Sequence, residues 1–441
     1  MTTTMTAQTS QLDLDALRAV ARHRAYGSVA RVVGHEVEIR GLVVRVGDVV
    51  SVSCPDGARL GEIVALGADG ARALLLGDTD GIGRGDRVRT MPTGLTIPAS
   101  DELLGRVLDG MGRPMDGRPL PAGPALRLDS PVPHALERAR ITEPLPVGVR
   151  MIDSLCTIAR GQRVGIFGGS GVGKSTLLGM MARGTAADVT VLGLVGERGR
   201  EVREFIEDDL GPGALEHSVV VAATSDQPPL VRLRGAFVAT RIAEYFADRG
   251  LDVLLVLDSL TRLAMAQREV GLAAGEPPTA RGYTPSVFSL LPRLLERAGP
   301  RARGTITGVY TVLVEGDDMN EPIADAARSI LDGHLVLSRR MADRGHFPAL
   351  DPLGSLSRLA PRVTDPEHRA HAAALRRALA AADDVRDLVE VGAYVPGTNP
   401  TADLGLAAAG DISSFLQQDM LEAAPFEGTR ERLARIAERL S

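Results

Sequence analysis

The sequence has no tryptophan, and aromatic residues make up only 3% of it. Its core must therefore be built from Ala, Val, Leu and Ile. Cysteine occurs only as Cys54 and Cys156, with no CxxC spacing. That argues against a disulfide framework or a zinc site and for two free thiols in a reducing compartment. No apolar run reaches the roughly 20 residues that a membrane span needs. The first ten residues are Thr-rich, without a basic start or an apolar centre, so they do not read as a secretory signal. Neither sign of charge dominates: 50 Lys and Arg stand against 56 Asp and Glu, a net charge of -6. This disfavours a strongly nucleic-acid-binding protein. What remains is a chain of 441 residues, 44% hydrophobic, expected to be soluble and cytoplasmic. It is long enough for a large core and more than one domain.

The texture changes along the chain. Leu14, Leu17, Ala21 and Arg24 recur at helical spacing, which predicts a short amphipathic helix over 11–24, either packed on its own domain or docking a partner. Between 28 and 90, short β-rich runs alternate with Gly and Asp-Gly punctuation. Among them are Val37–Ile39, Val43–Val46, Val49–Val52, Glu62–Leu66 and Arg72–Leu76, a pattern for a small sandwich or barrel. The Gly/Pro-dense stretch 101–120 reads as a connection between domains. From about 161, apolar strand runs alternate with helical segments, which predicts a mostly parallel sheet covered on both faces. After Pro361 the strands stop. A capping-box pattern at Thr364–Glu367 opens a helix to about Val391, followed by helices over Leu404–Gln418 and Thr429–Leu440.

One motif dominates the chemistry. Gly168, Gly169, Ser170, Gly171, Val172, Gly173, Lys174, Ser175 and Thr176 fit GxxxxGK[ST], between the strand run Arg163–Phe167 and the helix former Leu177–Ala182. The glycines let backbone N–H groups turn inward around phosphates, and the helix N-terminus favours the same charge. Lys174 is placed to reach the β- and γ-phosphates, and Ser175 to put its hydroxyl on Mg²⁺. Val253–Leu257 is an apolar strand ending in Asp258, the carboxylate such a site needs to hold Mg²⁺. A further strand, Val189–Val195, ends at Gly196-Glu197. A carboxylate at that strand tip can polarise an attacking water. The rest of the charged run to Asp209 reads as a solvated helix face. The expected activity is hydrolysis of Mg-ATP.

The chain resembles the ATPases of type III protein-export apparatus, most closely the flagellum-specific one, a family similar to the catalytic subunit of rotary F-type ATP synthases. The resemblance is carried by Gly105–Gly110, the P-loop, Gly196–Ile206, Asp258–Arg262, Met265–Glu269, Gly275–Pro278, Val314–Met319 and Ser329–His334. It covers essentially residues 95–360. It implies an α/β fold with a RecA-like P-loop ATPase core and a mainly parallel sheet over 96–360. A β-barrel over 28–95 precedes this core, and a helical domain over 361–441 follows it; residues 1–27 form a partner-docking segment. It also implies a homohexamer with sites between protomers, Glu197 as general base and Arg198 close to the nucleotide. By the same pattern Arg358 is an arginine finger for the neighbouring site, and Phe347 stacks on adenine where Tyr is usual. Phe keeps the ring face and loses the hydroxyl.

The partners implied are a regulator or stator protein at the N-terminus, export-gate and stalk proteins, and chaperone–substrate complexes. Peripheral membrane association would come through the apparatus, and no nucleic acid is implied. Glu197 argues against a non-catalytic paralogue, which lacks the acid there, and the long insertion of vacuolar-type subunits is absent. The alternatives are an injectisome ATPase, a rotary ATP synthase catalytic subunit and an RNA-driven ring translocase. The last is disfavoured because residues 28–90 hold no aromatic for base stacking.

Overall fold

The computed structural model describes residues 26–440, apart from 92–93, 315 and 317. The amphipathic segment 11–24 lies outside the described residues. The chain divides into two compact units, one up to Gly94 and one from Leu95.

The first unit holds β1 (Gly27–Val33), β2 (Glu36–Arg40), β3 (Val49–Cys54), β4 (Gly57–Gly67), β5 (Gly70–Leu75) and β6 (Arg87–Thr90). They close into a barrel in the order β1-β2-β5-β4-β3-β6. Every pairing in it is antiparallel. Alternation turns Val29, Val37, Ile39, Val52, Ile63 and Val88 inward, and Ala71 and Ala73 fit the narrow space between them. Val43–Val46, expected as a strand, is a loop. Gly41 and Gly47 bracket it in left-handed conformations, and the Asp48 carboxylate accepts the Arg45 N–H at 2.8 Å. Val43 is 92% exposed, so its β-branched character finds no sheet to join.

In the second unit β7 (Thr96–Pro98) and β9 (Ala125–Arg127) form a small ribbon. The main sheet is made by β8 (Arg106–Asp109), β10 (Arg163–Gly168), β11 (Val189–Val195), β12 (Ser218–Ala223) and β13 (Asp252–Asp258). It is completed by β14 (Gly299–Pro300), β15 (Thr305–Leu313), β16 (Gly333–Val336) and β17 (Leu356–Ser357). The order is β17-β16-β10-β15-β13-β11-β12-β8, with β14 alongside β15. Only β14 and β17 run antiparallel to their neighbours. The stretch 101–120 is therefore more than a connector, because it supplies the edge strand β8. Its Gly/Pro-rich part folds back along that strand, where Asp116 takes the buried Arg106 side chain at 2.6 Å and the Val107 N–H at 3.2 Å.

The C-terminal helices pack on this unit. The Asp365 carboxylate caps the Pro366–Asp384 helix by accepting the His368 N–H at 2.8 Å. That helix ends short of Val391, and Arg386–Glu390 follows as a separate turn. Leu404–Gln418 is likewise split, into Pro400–Ala407 and Ala409–Leu416, and the last helix spans Phe426–Glu438. Leu375, Phe415 and Leu433 join Met151, Leu155 and Leu178 in one continuous core. His368 reaches the Ser154 carbonyl at 2.8 Å, and Arg376 donates to the carbonyls of Pro352 and Leu155.

Candidate active site

The P-loop leaves the C-terminal end of β10 and enters the Lys174–Gly184 helix. Gly171 and Gly173 adopt φ of 76° and 90°, and nothing lies within 4 Å of where a Gly171 side chain would start. A side chain at either position would strain the turn. Val172 points the other way, into the core, and pins the loop. No side chain caps the helix N-terminus, and its first turn holds no acidic residue. Its orphan N–H groups stay available to an anion. The Lys174 ammonium is held only loosely, 3.4 Å from the Gly168 carbonyl. Arg339 braces the loop from outside by donating to the Ser170 carbonyl at 3.2 Å.

The carboxylates arrive from β13 and β11, at the same sheet edge. Asp258 is buried, and Thr311 on β15 donates its hydroxyl to it at 2.5 Å. Glu197, one residue past Gly196 at the end of β11, meets Arg262 at 3.2 Å. Arg262 also donates to the Gly196 carbonyl. The sequence pattern assigns no role to Arg262, within the Asp258–Arg262 motif, or to Thr311. The legible signal for Arg262 is its offset: Ser259 caps the Leu260–Ala274 helix by accepting the Arg262 N–H at 3.3 Å, which turns Arg262 back toward Glu197.

This edge is short of compensating charge. Burial pushes Asp258 above the usual carboxylate range. Burial, the nearby Asp258 and a hydrogen bond with Glu201 push Glu197 up to about 8. Burial also lowers Lys174, against the pull of Asp258 and Glu197. Groups held in this way gain most from a ligand that brings both phosphate charge and a cation.

The remaining residues named from sequence fall in three places. Phe347 borders the P-loop: a side chain built at Gly173 would start 4.0 Å from its ring, and the ring is half exposed. Arg198 is exposed at the N-terminus of the Gly199–Glu204 helix and pairs with Glu201 at 3.3 Å. Arg358 is not part of this cluster. It follows β17, and its N–H bonds the Asp332 carbonyl at 3.0 Å, while the Asp332 N–H bonds the Arg163 carbonyl. That places Arg358 beside the start of β10, with the strand's six residues between it and the P-loop. At about 3.3 Å per residue this is on the order of 20 Å, more than an arginine side chain spans.

Model matches divide the chain into three parts. The ATP synthase alpha/beta family nucleotide-binding domain matches 148–357 and that family's beta-barrel domain 29–91. The type III secretion EscN ATPase C-terminal domain matches 364–435. The chain belongs to the ATP synthase alpha/beta family, in its type III secretion branch. It is 47% identical to the flagellum-specific ATP synthase of Bacillus subtilis, over 94% of this chain and 95% of that protein. It is 51% identical to the SPI-2 type 3 secretion system ATPase of Salmonella typhimurium, over 86% and 88%. The assembled ATPase EscN of the enteropathogenic E. coli type III secretion system superposes with a TM-score of 0.89 at 44% identity, covering 93% of this chain and all of that one. EscN in complex with its central stalk EscO gives a TM-score of 0.87 at 43% identity, over the same shares. These matches bear out the fold expected from sequence: a barrel, a P-loop core and C-terminal helices.

Proposed function

We propose that this chain hydrolyses Mg-ATP as a homohexameric ring at the base of a type III export apparatus, a flagellar one, where it releases and unfolds chaperone-bound substrates. One observation carries the reading. The residues assigned to phosphate, cation and water converge on one sheet edge, while Arg358 is exposed at the opposite edge, outside that cluster.

Lys174 and the P-loop N–H groups hold the phosphates. The Ser175 hydroxyl and the Asp258 carboxylate would hold Mg²⁺, which neutralises charge on the phosphates. The donor set fits that ion: both groups are oxygen donors, which Mg²⁺ takes in small number while phosphate oxygens and waters complete its shell. Glu197, oriented by Arg262, takes up the proton of the attacking water. Arg198 lies beside the nucleotide. Phe347 stacks on adenine, an interaction worth about 1–3 kcal/mol per base in other settings. Arg358 of the next protomer stabilises charge on the transferring phosphoryl group.

A stalk protein, an N-terminal regulator, the export gate and chaperone–substrate complexes are the partners in this reading. No helix among the described residues is long and apolar enough to cross a membrane, so contact with the inner face of the cell membrane would pass through these partners. The SPI-2 relative, 51% identical over 86% of this chain against 47% over 94% for the Bacillus flagellar one, favours the injectisome as a second reading. Loss of motility, against loss of effector secretion, in a strain lacking this chain separates the two.

The test is ATP turnover per protomer against protein concentration. A rise with concentration, abolished by Lys174→Ala, supports the ring. Turnover independent of concentration overturns it.

A further inference from the structure

The Phe347 carbonyl accepts a hydrogen bond from the Gln418 N–H at 3.0 Å. Gln418 lies just beyond the Ala409–Leu416 helix, far away in sequence, and is buried. Its side-chain amide is fully engaged. Oε1 accepts from the Arg150 N–H at 2.9 Å, and Nε2 donates to the carbonyls of Gly148 at 2.8 Å and Glu422 at 3.0 Å. Two arginines fasten the same segment to the nucleotide-binding core. The buried Arg150 donates to the Phe415 carbonyl at 2.8 Å and pairs with Glu422. Arg183, in the last turn of the helix that begins at Lys174, donates to the Met420 carbonyl. Gln417 meets His346 at 3.3 Å, next to Phe347 itself.

Gln418 is thus the point at which the C-terminal helices, the Gly148–Arg150 turn and the Phe347 loop meet. We propose that Gln418 is a positioning residue. By fixing the Phe347 main chain it sets the ring against the nucleotide base, so that grip on the base depends on the seating of the C-terminal helices. This rests on the reading of Phe347 as the residue that stacks on adenine. A half-exposed ring on a loop is only partly held by its own packing, and a buried, fully bonded amide behind it supplies further constraint.

The experiment uses the full chain with Mg²⁺, comparing KM for ATP with the inhibition constant of inorganic tripolyphosphate, which has phosphates and no base. Gln418→Ala deletes the three side-chain bonds that seat the Gln418 main chain, while its N–H can still bond the Phe347 carbonyl. The looser seat is expected to raise KM about five-fold, the scale of one net hydrogen bond, and to leave tripolyphosphate inhibition unchanged. In a Phe347→Ala background the same change should add nothing further. Gln418→Glu keeps the size and the acceptor for Arg150 while turning an acceptor toward two carbonyls. It is expected to raise KM similarly, and it serves if the alanine variant does not fold. Equal rises in KM and in the tripolyphosphate constant overturn the proposal, as does additivity with Phe347→Ala. If Phe347→Ala raises KM and neither Gln418 variant does, this inference alone falls. If Phe347→Ala leaves KM unchanged, the stacking reading falls and takes this inference with it.

Discussion

The two edges of the main sheet handle charge in opposite ways. At the N-terminal edge several strand starts are tied by matched ions. Arg163 pairs with Asp332 at 3.2 Å and with Glu296, Arg160 pairs with Asp252, and the fully buried Glu244 holds Arg297 through two bonds of 2.7 and 2.8 Å. At the C-terminal edge the buried Asp258 and the partly buried Glu197 share one arginine and one loosely held lysine, and both are pushed away from their ionised form. One edge is complete without a ligand. The other is complete only with one. Burial does not distinguish them, but charge balance does. On the balanced edge Arg358 stands without an ion pair among the described residues.

Breaking each edge should therefore have different consequences. The largest effect is expected from Arg358→Ala, a fall in kcat of roughly 10³–10⁵ with folding unchanged, read by steady-state phosphate release beside a melting curve. Nucleotide binding by the variant should persist.

Arg297→Met should do the reverse. It removes the two-bond partner of the buried Glu244 and leaves that carboxylate to Arg241 at 3.1 Å and Arg301 at 3.8 Å. The cost should therefore fall below the roughly 3–5 kcal/mol of a buried charge left wholly unpaired. Denaturant unfolding checks this, and turnover per folded protomer should stay near the wild-type value.

A smaller effect sharpens the contrast by pH. Because Glu197 in the folded protein titrates near 8, above the ordinary glutamate range, the folded state binds its proton more tightly than the unfolded chain does. Its contribution to stability is full at acid pH and is lost progressively as pH rises toward about 8. The melting temperature of the nucleotide-free protein should fall across that window, and Glu197→Gln should flatten the slope.

The same contrast explains what the sequence made legible. The P-loop, Asp258 and Glu197 are local signals: each follows an apolar strand run, and parallel strands bring their C-terminal ends to one edge. The barrel was legible from its alternation. Val43–Val46 misled because β-branched composition does not reveal whether a partner strand exists. Residues 101–120 misled because Gly and Pro suggested a linker, while Arg106 and Asp116 fold the stretch onto the sheet. Arg262 and Thr311 act only through tertiary contacts from a helix and from β15. Gln418 is further removed still, since its bonds span some 270 residues of chain, and no local pattern announces them.

The central claim is that each site draws on both edges, from two protomers. Mixing Glu197→Gln and Arg358→Ala proteins, each inactive alone, tests it most directly. Random co-assembly pairs an intact Glu197 with an intact neighbouring Arg358 in roughly a quarter of sites. The account predicts that turnover reappears on mixing and scales with that fraction. Mixtures as silent as their components, under conditions where the two proteins demonstrably co-assemble, would contradict it.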